Sequence, residues 1–121
     1  MPSSFYLADN IINTKIKNNP TYIALFKSNP NRDNSGIEIN ATSYERVAIT
    51  FGSPSNGIVR NDVSVSFPQA TENWGVASHY AIYDSLNGGN LLFSDRFYYD
   101  DDIITGRIVT IPALQLQLQV I

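Results

Sequence analysis

The hydrophobic and polar positions of this chain follow a helical period near the N-terminus and an alternating period after it. Apolar residues recur first at spacings of three and four, which predicts one amphipathic helix over about residues 4–17: Phe5, Ala8, Ile12 and Ile16. Pro20 ends this pattern because proline cannot continue the hydrogen-bond ladder of a helix. The N-terminal segment is therefore expected to bury one face against the rest of the protein.

After Pro20, apolar and polar residues alternate in short runs separated by loops rich in Asn, Gly, Pro and Asp. The predicted strands cover residues 21–27, 44–51, 63–67, 74–83, 91–99, 107–111 and 114–120. No long helical pattern separates them, so parallel crossover units are not expected. These patterns predict a mainly β fold: an antiparallel β-sandwich or barrel of about seven to eight strands with one N-terminal helix. We expect a single domain over 1–121, with the helix at about 4–17 and the β body at about 21–121.

The strand predicted at 74–83 has two largely apolar faces, which is typical of a central strand. Alternation places one set of side chains on one face and a second set on the other: Trp74, Val76, Ser78, Tyr80 and Ile82 against Gly75, Ala77, His79, Ala81 and Tyr83. Residues 87–90 (Asn-Gly-Gly-Asn) tolerate positive φ, as a tight hairpin requires. Trp74, Ile82 and Leu91 are predicted to lie in the structural core.

The last strand has the cleanest alternation. Aliphatic side chains are expected on one face and glutamines on the other: Leu114, Leu116, Leu118 and Val120 against Gln115, Gln117 and Gln119. The glutamine face indicates either an edge strand with one solvated face or a contact with another subunit. No lysine or proline protects this strand against edge pairing. We therefore predict partner contacts at Gln115, Gln117 and Gln119, and at Phe5, Ile12 and Ile16 of the helix.

Composition narrows the possible classes of function. The net charge of -3 and the pI near 4.8 argue against general nucleic-acid binding. The absence of cysteine excludes disulfides, thiolate metal sites and cysteine nucleophiles. No apolar run approaches the roughly 18 residues of a membrane span, and residues 1–4 do not predict a secretory signal. The charged fraction of 16% is low and compatible with a protein interface, or with a compositional habit of the genome.

Two places in the chain could carry chemistry. His79 is the only histidine, but alternation puts it on the opposite face from Ser78, so we interpret it as structural. Residues 100–102 (Asp-Asp-Asp) follow Tyr98 and Tyr99 and could hold Ca²⁺, although three adjacent carboxylates cannot all face one ion on an extended chain. A solvated turn is favoured there. No catalytic, cofactor-binding or metal residue is predicted, and the chain is not expected to be an enzyme.

Several segments form a recognisable series: the N-terminal helix, Glu38, and residues 22–26, 44–51, 65–68, 73–84 and 88–92. The most specific part of it is Trp-Gly…His…Ile-Tyr-Asp…Gly-Gly-Asn-Leu-Leu. In these segments the chain resembles a family of small virion structural proteins of tailed bacteriophages, often described as tail-fibre-like or minor tail proteins. The chain departs from the family pattern at residues 111–114 (Ile-Pro-Ala-Leu), where a glycine usually precedes the last strand. The resemblance implies a non-enzymatic structural role and no catalytic residues.

Within that role, a capsid cement or decoration protein on the major capsid protein lattice is the first hypothesis. The chain has neither a coiled coil nor a repeated stalk, which a long fibre would need. The alternatives are a tail-fibre or minor tail component and a glycan-binding β-sandwich that uses Tyr98 and Tyr99. The expected partners are other virion proteins and copies of this chain, without nucleic acid or membrane. The expected location is the virion, after assembly in the host cytoplasm.

Overall fold

The computed structural model describes residues 2–121 and begins with the predicted helix. Helix α1 (Phe5–Ile12) starts at Ser4, whose Oγ accepts a hydrogen bond from the N–H of Leu7 at 3.1 Å. Such a cap pairs one of the N–H groups that a helix start leaves without a partner. The chain continues as a π-helical segment (Asn13–Lys17) before Pro20. No helix in residues 2–121 is long and apolar enough to span a membrane.

Eight strands follow, and every pair among them is antiparallel. They are β1 (Thr21–Phe26), β2 (Val47–Ile49), β3 (Ile58–Arg60), β4 (Val65–Ser66), β5 (Gly75–Tyr83), β6 (Leu91–Ile103), β7 (Thr110–Ile111) and β8 (Gln117–Gln119). The main sheet has the order β2-β1-β5-β6, while β3 pairs with β8 and β4 pairs with β7. The prediction of a mainly β, antiparallel fold with one N-terminal helix is confirmed, and the strands of residues 2–121 do not close into a barrel. Strand β3 was not predicted, because three residues are too few to show a period.

One core joins the helix, the main sheet and the two small sheets. Its buried members come from all of these elements: Ile12, Ile23, Leu25, Val59, Val65, Ile82, Ile103, Ile111 and Leu118. Trp74 lies in this core at 2% exposure, and its indole N–H donates to the Ser43 Oγ at 2.9 Å. Leu91 is half-buried and packs against a smaller cluster on the other face of the main sheet. Both faces of β5 are covered, as expected for a central strand.

The alternation of β5 breaks at Ser78. Ala77 pairs with Asp101 of β6, whereas His79 pairs with Arg96, so residues 97–100 of β6 bulge opposite Ser78 alone. The slip turns Ala77 into the main core with Tyr80 and Ile82. The predicted assignment of Ala77 to the opposite face was therefore wrong, because β5 loses its regular alternation where β6 bulges away from it.

The terminal strand is shorter than predicted, because Asn61 holds the preceding segment in a turn. The buried Asn61 side chain donates to the carbonyl O of Pro112 and accepts from the Leu116 N–H, both at 2.9 Å. Leu114 adopts φ of +65° and is exposed, so its predicted inward orientation was wrong. Leu116 and Leu118 are buried as the alternation predicts.

Candidate interaction surfaces

A buried arginine binds the β5–β6 hairpin to the body of the protein. Arg46 forms a two-point ion pair with Glu38, with Nε–Oε2 and Nη2–Oε1 distances of 3.0 and 2.9 Å. Its Nη1 donates to the carbonyl oxygens of Ser85 at 3.0 Å and Gly88 at 2.7 Å. The guanidinium carbon lies 3.8 Å from the centre of the Tyr83 ring. The hydrogen bonds of this arginine and its contact with the Tyr83 ring are all made within the fold, so we interpret the network as structural.

Tyr44 extends this network into the core. Its hydroxyl donates to Glu38 Oε2 at 2.6 Å and accepts from the Leu25 N–H at 3.1 Å. Burial, followed by the hydrogen bond to the Glu38 carboxylate, raises the pKa of Tyr44 above its usual range. The Tyr44 ring meets the Trp74 ring edge-on, with centroids 5.4 Å apart. Tyr44 thus joins the ion pair to the aromatic part of the core.

Ser78 and His79 lie in contact, contrary to the prediction that they face opposite sides of the strand. The Ser78 Oγ is 2.7 Å from His79 Nδ1 and 3.0 Å from the Lys27 carbonyl O. The carbonyl can only accept, so the single hydroxyl hydrogen goes to Lys27 and the His79 Nδ1–H donates to serine. This arrangement cannot draw a proton from Ser78. Burial and then the charge of Arg96 lower the pKa of His79, which favours neutral imidazole.

The three consecutive aspartates do not form the predicted solvated turn. Strand β6 continues through residues 100–102, and two of the three carboxylates are paired with arginines. Asp100 binds Arg96 at 3.1 Å, and Asp101 binds Arg107 at 2.9 Å. Within residues 2–121 there is no group of three side chains placed to hold a metal ion.

The outer side of α1 is an exposed apolar surface. We define the helix surface as Phe5, Tyr6, Leu7 and Ile11, of which Tyr6 is 80% exposed. Ile12 and Ile16 were predicted to contact a partner, but both are buried in the core. Their prediction was wrong because the stripe at spacings of three and four is the face that the protein body covers. Phe5 is exposed and accessible.

An apolar cleft continues the helix surface toward the C-terminus. Its cavity of about 410 Å³ lies between the helix, the start of β6 and the last residues of the chain. Ile11, Leu92, Phe93 and Ile121 line it, together with the polar side chains of Lys15, Arg32 and Gln119. Ile11 belongs to both the cleft and the helix surface, so the two form one largely apolar region.

A second cavity lies at the opposite end of β6. We call it the tyrosine groove, a cavity of about 450 Å³ between the β6 bulge and residues 107–117. Gln115 and Gln117 line it, so the three glutamines predicted on one contact face divide between two surfaces. The Gln117 Oε1 accepts from Arg60 at 2.7 Å, which leaves its amide N–H groups as the donors of that side chain.

The β6 bulge projects two neighbouring tyrosines at the mouth of this groove. Tyr98 is 90% exposed and Tyr99 is 77% exposed. Their rings stand nearly perpendicular, at 89°, with centroids 4.6 Å apart. Phe97, the first residue of the bulge, packs against Tyr80 instead, with centroids 5.4 Å apart. The bulge therefore has one aromatic ring anchored below it and two held out in solvent.

The charged groups of the groove are balanced. Its lining contains Asp95 and Asp101 as carboxylates and Arg96 and Arg107 as cations. Each arginine is already paired with an aspartate of β6. Burial, with a smaller contribution from Asp95, raises the pKa of Tyr80 to about 12. The groove therefore offers hydrogen-bonding groups without an uncommitted positive charge.

Sequence reasoning did not identify Asn61, Arg46 or the exposed Tyr6 as important. Arg46 lies in the resemblance segment 44–51 beside a second charged residue, Glu45, so nothing in its local sequence marks it as buried. Asn61 carries no clear local signal, since its partners other than Val63 lie more than 50 residues away.

Comparison with known proteins places the whole body of the chain in one family. The family described as Podophage GP4 fiber I protein gp80 matches residues 3–119. No curated protein matches the chain. The match extends from the helix cap to the last strand, and therefore includes the helix surface and the tyrosine groove.

Proposed function

The chain belongs to the family described as Podophage GP4 fiber I protein gp80, a phage tail-fibre-like family, and from that premise we propose that it is a non-enzymatic building block of the virion's fiber apparatus. The observation that supports the proposal is the family match over residues 3–119. A component of this kind must bind other virion proteins and present a stable body. The antiparallel fold and its exposed apolar region suit that task.

The family description favours the tail-fibre alternative over the capsid cement that was the first hypothesis. The argument for cement was that a fibre needs length, which this chain lacks. A short β domain can nevertheless be one part of a fibre that several chains build together, so chain length does not decide between the two.

Particle composition tests this proposal. We expect quantitative mass spectrometry of purified virions to find this chain in a few to tens of copies, in the fraction that separates with tails. Hundreds of copies that separate with emptied capsids would instead support the cement function. Cryo-electron microscopy of the same particles would then locate the domain directly.

We assign the attachment to the apolar region formed by the helix surface and its cleft. Contiguous exposed apolar area on a soluble domain marks interaction sites, since burying it on a partner is favourable. Phe5, Tyr6 and Ile121 are each more than half exposed. The partner is either a different virion protein or a second copy of this chain.

Paired substitutions test the attachment surface. Leu7→Gln with Ile11→Gln should reduce incorporation into particles and any self-association seen by light scattering. Ile104→Gln is the matched control, because Ile104 is a similarly exposed aliphatic residue that follows β6 and belongs to neither the helix surface nor its cleft. Equal incorporation of the helix variant and the control would count against this assignment.

The non-enzymatic part of the proposal is supported by the geometry at Ser78. Its hydroxyl hydrogen is directed at the Lys27 carbonyl rather than at His79. A serine held in this way lacks the base that activates a nucleophile.

A further inference from the structure

We propose that the tyrosine groove is a binding site for a neutral oligosaccharide. The proposal does not rest on the fiber function, because it is argued from the groove alone. Three properties of the groove support it: the presentation of the tyrosine rings, the hydrogen-bonding groups beneath them, and the pairing of every cation in the lining.

The tyrosines are held out by backbone geometry rather than by chance exposure. Residues 97–100 stand opposite Ser78 alone, so the bulge aims Tyr98 and Tyr99 away from the sheet. Phe97 anchors the bulge on Tyr80. Bulges of this kind often re-aim side chains at binding sites. Two large rings in water serve no packing function in the isolated chain, whereas a sugar ring offers C–H faces that pack on aromatic rings.

The walls of the groove supply directional polar groups. Asp101 and Arg107, 2.9 Å apart, place an acceptor and a donor side by side. Asp95 adds acceptors, and the side-chain amides of Gln115 and Gln117 add donors. Adjacent hydroxyls of a sugar both donate and accept, so they match such mixed pairs. The cavity of about 450 Å³ lies within the roughly 300–1,000 Å³ typical of small-ligand sites.

The charge pattern selects a neutral sugar over an acidic one. Arg96 and Arg107 are each bound to a carboxylate, and Asp95 adds a negative charge. An acidic sugar would have to displace an aspartate from its arginine and would lie beside like charge. A neutral sugar can bond to the ion pairs without breaking them.

The test begins with the purified full chain on a glycan array that carries equal panels of neutral and of sialylated or sulfated oligosaccharides. We expect binding confined to neutral members, with the affinity of the strongest one then measured by titration calorimetry. Binding to no member of the array, or preferential binding to acidic members, would overturn the proposal.

Variants then locate the site. Tyr98→Ala and Tyr99→Ala should each lower the affinity for that oligosaccharide by about tenfold, as expected for loss of one aromatic contact. Tyr98→Phe should retain most of the affinity because the ring remains.

Tyr6→Ala is the matched control, since Tyr6 is an equally exposed tyrosine on the helix. Because these side chains lie in solvent, the variants should fold normally, which circular dichroism checks. Unchanged affinity in both alanine variants, or an equal loss in the Tyr6 control, would place binding elsewhere.

Discussion

The two ends of the β5–β6 ladder contain the same kinds of side chain and use them in opposite ways. At the hairpin end, the Arg46 side chain is 8% exposed, pairs with Glu38 and covers the Tyr83 ring. At the bulge end, the Arg96 side chain is 61% exposed and its neighbouring tyrosines lie in solvent. Arginine, carboxylate and tyrosine therefore build the fold where water is excluded, and remain available to a ligand where it is not.

The largest difference between the two ends should appear when the arginines are removed. Arg46→Met removes the ion-pair partner of Glu38, which keeps only the Tyr44 hydroxyl, and deprives two carbonyl oxygens of their donor. We expect the free energy of unfolding to fall by about 3–5 kcal/mol, as when one partner of a buried ion pair is removed. Urea denaturation followed by tryptophan fluorescence measures it.

The matched variant at the bulge end is Arg96→Met, which breaks the exposed pair with Asp100. Exposed pairs contribute about 0–1 kcal/mol, so this variant should be close to wild type. Similar losses in the two arginine variants would mean that burial does not separate the two ends.

A smaller effect is expected at the hairpin turn. Gly89 has φ of +77°, and a Cβ there would lie 2.6 Å from both Asp84 Oδ1 and Ser85 Cβ. We expect Gly89→Ala to destabilise the protein by about 2–3 kcal/mol, the upper part of the range for a strained backbone position. Thermal unfolding measures the change.

Gly88 provides the control for that prediction. Its φ is +61°, but an added Cβ would meet nothing within 4 Å. Gly88→Ala should therefore cost only the conformational penalty, about 1 kcal/mol. If both alanine variants lose the same stability, close packing against Asp84 does not contribute to the turn.

Much of the fold could be predicted, because local periods encode it. The helix, the central strand 74–83 and the turn at 87–90 follow from spacing and turn chemistry alone. The failures have long-range causes. The phase slip at Ser78 depends on which residues of β6 pair with it, and the orientation of Leu114 depends on Asn61. The same limit applies to the surfaces. Tyr98 and Tyr99 were recognised as candidates for sugar binding, but the groove that they line with residues 107–117 exists only in the folded chain.

The smallest expected effect is a change in the pKa of His79. This residue lies at the boundary between the two ends, where it pairs with Arg96 across the ladder. Burial and the charge of Arg96 lower the pKa of His79 below its usual 6.5, while Asp95 and Asp100 act in the opposite direction. A lowered pKa in the folded state means that His79 supports folding above about pH 6.5. This contribution is lost as the pH falls from there through the lowered value.

Titration of the His79 ring by NMR tests this electrostatic link between the two ends. In wild type, the pKa should lie below 6.5, and Arg96→Met should raise it because the nearby positive charge is removed. Arg107→Met is the control. This substitution also removes a positive charge from the groove, but Arg107 is not among the charges that shift the pKa of His79. An unchanged pKa in Arg96→Met, or an equal rise in Arg107→Met, would show that Arg96 does not act directly on His79. The bulge would then separate the two ends electrostatically as well as in backbone register.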